Sequence, residues 1–148
     1  MAIDYTVLSN EIIKILEKIE TISLATCVGE KVTARTMNLV NNGLTIYMQT
    51  DDNSEKGKQI SVNPNVAMAA DNIQIEAVAH FTADAQEIGL CSMKFKAKFP
   101  RLYEKYADLP EEPTLICKPI KFKLYKVIDG KPCRDILDVK ENKAYRLY

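Results

Sequence analysis

The side chains with the means to do chemistry gather in one reach of chain, TDDNSEKGKQISVNP from Thr50 to Pro64, and in Arg35 upstream of it. The reach follows an apolar run and opens a short helical pattern. A helix N-terminus attracts anions because free backbone N–H groups and the helix dipole both face outward there. Asp51, Asp52 and Glu55 crowd that end against Lys56 and Lys58, so the turn carries a net charge of minus one. Two readings stay open. In one, Asp52 or Ser54 caps the helix and the acids complement its dipole. In the other, a phosphate group sits there with the help of a cation from outside the turn. Arg35 is the obvious donor, since a guanidinium grips phosphate oxygens with two parallel N–H bonds where a lysine offers a point charge.

Other chemistries find little material. There is no GxGxxG after a strand, no GxxxxGK[ST] and no GxSxG, which removes the usual dinucleotide, P-loop and serine-hydrolase signatures. The single histidine, His80, lies in the apolar run AVAHF and reads as a hydrogen-bonded structural residue. Cys27, Cys91, Cys117 and Cys133 are far apart and form no CxxC pair, so no zinc spacing exists, and they read as reduced, buried, small apolar residues. Twenty basic residues balance twenty acidic ones, which gives no bulk attraction to nucleic acid or to a membrane. Asp4, Ser9, Asn10 and Glu11 interrupt the first apolar positions; neither a signal peptide nor a membrane span is expected, and the expected compartment is the cytoplasm.

The elements that must position these residues follow from period. Residues 6–20 place Val7, Leu8, Ile12, Ile15, Leu16 and Ile19 on one face of an amphipathic helix, with Ser9 or Asn10 as cap. ISLATCV and KVTARTMNLV then form two strands about Gly29-Glu30, with Thr33, Arg35, Met37 and Leu39 on one face of the second. Asn42-Gly43 predicts a type I′ turn into LTIYMQT, which gives a three-stranded meander. VAMAAD and IQIEAVAHFTADAQEI are two more strands about Asp71-Asn72. Residues 90–106 are helical on both sides of Pro100, anchored by Leu90, Met93, Phe95 and Phe99. After the loop DLPEEP, the segment TLICKPIKFKLYKVI sets Ile116, Ile120, Phe122, Leu124 and Val127 against Lys118, Lys121, Lys123 and Lys126. It reads as a strand with a solvated lysine face, at an edge or bulged at Pro119, rather than as a nucleic-acid stripe. The tail turns at Asp129-Gly130 and carries a short apolar run at Ile136-Leu137. No linker divides the chain, so residues 1–148 form one domain.

The ordered set of segments resembles the pyridoxamine 5′-phosphate oxidase-like family of FMN-binding split barrels. It comprises the leading helix, ISLATCVGEKVTARTMNLV, the NNG hairpin, LTIYMQT, SEKGKQISVNP, VAMAA and IEAVAHF, over roughly residues 10–125. That resemblance implies a mainly β fold, a six-stranded antiparallel split β-barrel with flanking helices. It implies FMN as cofactor, with Arg35, Thr50, Ser54 and Lys56 around the phosphate, Thr36, Met37 and Asn38 along the isoalloxazine ring, and Gln49 beside it. It also implies a homodimer with the cofactor at the interface, and an FMN-dependent oxidoreductase whose substrate and electron donor are not named by the sequence. No side chain is assigned as acid or base. Two departures stand out: Glu55 replaces the second basic residue that many relatives carry after the serine, and the C-terminal basic motif of true pyridoxamine phosphate oxidases is not recognisable in DILDVKENKAYRLY. Synthesis of pyridoxal phosphate is therefore not expected. The alternative is a non-catalytic flavin-, deazaflavin- or haem-binding or sensing protein of the same fold.

Overall fold

The computed structural model describes residues 1–105 and 112–148; most of the DLPEEP loop lies outside the described residues. Helix α1, Tyr5–Lys18, is capped by Asp4, whose carboxylate accepts from Val7 N at 2.9 Å. The cap thus lies upstream of Ser9 and Asn10. The buried stripe is centred on Leu8, Ile12 and Leu16, which leaves Val7, about 100° round the helix from Leu8, exposed to solvent.

Strands β1, Thr21–Val28, and β2, Lys31–Asn38, form a hairpin about Gly29, at φ +58°. The expected second strand does not run on unbroken. It ends at Asn38, and β3, Val40–Asn42, pairs instead with β4, Thr45–Gln49. Leu39, fully buried at the break, turns its N–H to Glu20 O. The β3–β4 loop is Gly43-Leu44, with only Gly43 at positive φ, so the type I′ expectation for Asn42-Gly43 is not met. It is Asp129-Gly130 where both loop residues adopt positive φ.

Helix α2, Glu55–Val62, leads to β5, Asn65–Ala70, and β6, Ile73–Phe81. The segment expected to stay extended through residue 88 instead turns helical. Asp84 accepts from Gln86 N and Glu87 N and starts α3, Ala85–Lys98, because a capped donor pair outweighs the alternation of so short a stretch. Pro100 opens α4, Pro100–Lys105, at the position where its missing N–H costs nothing. Phe95, Cys91, Tyr47, Val40 and Ile116 form a second small core beneath α3, whereas Met93, expected as an anchor, is exposed.

Strand β7, Thr114–Ile128, pairs with β4, β6 and β8, Lys131–Asp138. It is a central strand, so the edge expectation fails, while the register shift opposite Glu76/Ala77 supplies the bulge at Pro119. Phe122, Leu124 and Lys126 share one side of it. Lys126 is thereby turned toward Glu11 and Asp135 at 2.8 and 2.9 Å, and Val127 toward solvent. Strand β9, Lys143–Leu147, completes the tail. Buried Asp135 also receives Arg146 through Nε at 2.6 Å and Nη2 at 2.9 Å.

The sheet runs β2-β1-β5-β6-β7-β4-β3, antiparallel throughout, with β8 and β9 continuing from β7. Of the nine strands among the described residues, six are those expected; β3, β8 and β9 are additions. The path curls round a core that includes Leu24, Ile46, Met48, Met68, Ile75 and Phe122. Where the path closes on itself, β2 lies against β4, the neighbour of the end strand β3, with no ladder between them, which leaves the barrel split there. Lys98 reaches the carbonyls of Leu16, Ile19 and Leu39 at 3.2, 2.5 and 3.1 Å, tying α3 to the end of α1 and to the β2–β3 break.

Candidate functional site

Strand β2 pairs on one side only, and its side chains alternate. Thr33, Arg35 and Met37 are half-buried, while Val32, Ala34, Thr36 and Asn38 are exposed on the outer face. Arg35 is thus turned toward the barrel and α2. Its Nη1 donates to Leu24 O at 3.1 Å and Thr26 Oγ1 at 2.9 Å, and Nη2 donates to Thr33 Oγ1 at 2.6 Å. Both threonine hydroxyls in turn donate to Gln59 Oε1 on α2, that of Thr33 at 2.8 Å. The guanidinium is consequently latched to the helix. Burial pushes its pKa down, and the charge of nearby Glu55 opposes that shift; an arginine stays charged at neutral pH regardless. Three of its five N–H groups are engaged in these bonds, leaving two for a ligand.

The turn before α2 uses much of its own polarity. Ser54, not Asp52, is the cap: its Oγ accepts from Gly57 N at 3.1 Å and donates to Asp51 O at 2.6 Å. The Asp51 carboxylate accepts from Asn53 N at 2.8 Å. Gly57 is required here, since a Cβ would come within 2.5 Å of Asp52 O and 2.8 Å of Asp51 O. Glu55 pairs with Lys31 at 3.4 Å, with both side chains largely in water. That leaves the N–H groups of Glu55 and Lys56, which have no intrahelical acceptor in a helix starting at Glu55. Lys56 itself is half-buried.

The remaining candidates divide by strand face. Thr50 is buried just past the end of β4, its N–H bonded to Pro113 O at 3.1 Å, and Gln49 beside it is half-buried. Met37 packs against the core, whereas Thr36 and Asn38 stand on the outer face of β2, opposite Arg35. A groove of about 500 Å³ crosses that outer side of the sheet, lined by Ala25, Ala34, Ala67, Ala69 and others. Thr26, Thr33, Gln59 and Lys31 were not singled out by sequence reasoning as site residues. Thr26 and Thr33 are direct partners across the β1–β2 hairpin, so the pairing about Gly29-Glu30 held the available signal. His80 is exposed on β6. Among the described residues no three metal-ligating side chains cluster, and no helix is long and apolar enough to cross a membrane.

An edge strand carrying a latched arginine beside the start of a short helix, on a barrel open between β2 and β4, can be set against solved structures. A Listeria innocua protein provisionally named a pyridoxamine 5′-phosphate oxidase matches with a TM-score of 0.62 at 18% identity, over 79% of this chain and 97% of that one. The fold is the split barrel of the pyridoxamine 5′-phosphate oxidase-like proteins. PhzG from Burkholderia lata, solved with tetrahydrophenazine-1-carboxylic acid, is a split barrel matching with a TM-score of 0.64 at 12% identity, over 96% of this chain and 87% of that one. HutZ, the heme storage protein of Vibrio cholerae, matches with a TM-score of 0.61 at 16% identity, over 74% and 88%. Split barrels of this kind thus include flavin-binding enzymes and haem-binding proteins. No family sequence model and no curated protein sequence matches the chain.

Proposed function

We propose that this split barrel is a cytoplasmic FMN-binding flavoprotein and a flavin-dependent oxidoreductase, working as a homodimer. The observation that carries the reading is Arg35, held by three acceptors with two N–H groups to spare beside the open end of α2. This donor set fits a phosphate monoester: a guanidinium, the free N–H groups of Glu55 and Lys56, and the Lys56 ammonium. Lys31 offsets Glu55, the acid that argues against an anion. In this reading Arg35 and Lys56 grip the phosphate, Ser54 shapes the turn that presents the N–H groups, and Thr50 and Gln49 border it from β4. Thr36 and Asn38 line the outer face, where the ring would lie beside the alanine-lined groove and a second subunit would cover it. The flavin supplies hydride or electron transfer; the chain supplies binding and electrostatics. The tail folds as the β8–β9 hairpin and holds Arg146 against Asp135.

The test is the visible spectrum of the purified protein with and without added FMN, in a buffer free of phosphate. Flavin absorbance, or quenching of free flavin fluorescence, is the expected result. A colourless protein that leaves FMN fluorescence unchanged overturns the reading, and a Soret band in its place assigns the barrel to haem. Bound flavin that neither NADH nor NADPH reduces makes the protein a binder or sensor.

A further inference from the structure

Gln59 is 7% exposed, on the side of α2 that faces the barrel. Its position matters because of what a hydroxyl can do. Each threonine hydroxyl has one proton to give and two lone pairs to receive. The oxygens of Thr26 and Thr33 lie 3.2 Å apart, so each is in reach of the other as donor or acceptor. Gln59 Oε1 resolves that ambiguity by accepting from both. With both protons committed to the helix, the lone pairs that remain face Arg35, at 2.9 Å for Thr26 and 2.6 Å for Thr33. Without an acceptor at position 59 the hydroxyls rotate freely, and orientations that point O–H at the cation compete with those that hold it.

We infer that Gln59 is a positioning residue for Arg35: by taking both threonine protons it turns two of the guanidinium's three acceptors toward it, beside the fixed Leu24 carbonyl, and so holds the two remaining N–H groups ready for a phosphate monoester. This rests on the reading of Arg35 as the phosphate ligand. The energetic role is preorganisation, because a side chain already fixed pays no ordering cost when the anion arrives.

The experiment has two readouts on wild type, Gln59→Leu and Gln59→Glu, with Thr33→Val as a second way to break the latch should Gln59→Leu fail to fold. The first is side-chain ¹⁵N NMR of Arg35 in the protein without ligand, assigned by the signal lost in Arg35→Lys. Slow rotation of the guanidinium is expected in wild type and Gln59→Glu, and fast averaging in Gln59→Leu and Thr33→Val. Slow rotation persisting in Gln59→Leu or, where that variant does not fold, in Thr33→Val, overturns the inference whatever the cofactor proves to be. The second is the affinity for FMN relative to riboflavin, which lacks the phosphate. Losing one positioning hydrogen bond should weaken FMN on the order of three- to tenfold and leave riboflavin unchanged. An equal loss for both overturns the positioning role in favour of general damage to the fold. Equal affinity of wild type for FMN and riboflavin overturns the phosphate reading itself, a failure separable from that of the latch by the NMR result.

Discussion

Glu55→Gln is the sharpest perturbation of the candidate phosphate site, because stability and affinity should move in opposite directions. Glu55 is the first residue of α2, its charge is felt at Arg35, and its carboxylate meets Lys31 at 3.4 Å. The two side chains are 61% and 67% exposed, which limits the pair to at most about 1 kcal/mol. The acid's favourable place at a helix N-terminus adds an amount of the same order. Removing the charge should therefore lower stability by at most about 2 kcal/mol, measured by urea denaturation. The gain in anion binding is comparable. One unit charge acting on a dianion within a Debye length of ~8 Å, in a water-like dielectric, is worth on the order of 1 kcal/mol. FMN should then bind Glu55→Gln roughly fivefold tighter at low salt, and the advantage should shrink as salt is raised. Lys31→Ala should act the other way, since it uncovers the carboxylate. Fluorescence titration with FMN and riboflavin at low and high salt measures all of this. Unchanged FMN affinity at low salt, or an equal change for riboflavin, would refute the placement of the phosphate at the start of α2.

Asp135→Asn should destabilise the barrel by about 2–3 kcal/mol at pH 7, below the cost for a fully buried pair because Lys126 retains some contact with water. The Arg146 hydrogen bond holds the Asp135 carboxyl below its ordinary pKa, so its stabilisation is present above about pH 4 and lost as pH falls through the folded value; denaturation curves of the two proteins should converge on acidification. Gly57→Ala would gain up to about 1 kcal/mol of helix propensity but must displace the Asp51 and Asp52 backbone, so a lower melting temperature and weaker FMN binding are expected. Burial pushes the Cys117 thiol up to about 12; at pH 8 a thiol reagent should modify half-exposed Cys27 in the native protein and reach Cys117 only on unfolding.

The fold was legible where one face of an element is wet. Alternation in β1, β2 and β6 and the stripe Leu8, Ile12 and Leu16 each carry a period that a reader of the sequence can count. Legibility failed where tertiary closure decides. Leu39 breaks an otherwise continuous apolar-polar run because the barrel must bend there, and Lys98, from a distant helix, donates to the carbonyl freed at that break. Lys126 and Val127 exchanged their expected roles because the period of two set by Phe122 and Leu124 runs on unbroken past Pro119 and its bulge, which carries Lys126 inward to Glu11 and Asp135 and Val127 outward. The β8–β9 hairpin was missed for a related reason: its inner face includes Asp135, whose burial depends on partners from β7 and β9.

The same distinction governs the site. The serine and the acids of TDDNSEKGK were visible, but much of that turn is consumed by its own capping: Ser54 serves Gly57 and Asp51, and Asp51 serves Asn53. A helix N-terminus so occupied gains its capacity for an anion from what is brought to it. Here that is a cation from the neighbouring hairpin, held by two threonines that face each other only because Gly29 turns the chain back in register. An isolated S-x-K turn therefore carries little information about phosphate binding. The informative unit is the turn together with the register of the hairpin beside it, since a shift of one residue in β2 would carry Arg35 to the outer face and leave α2 without its guanidinium.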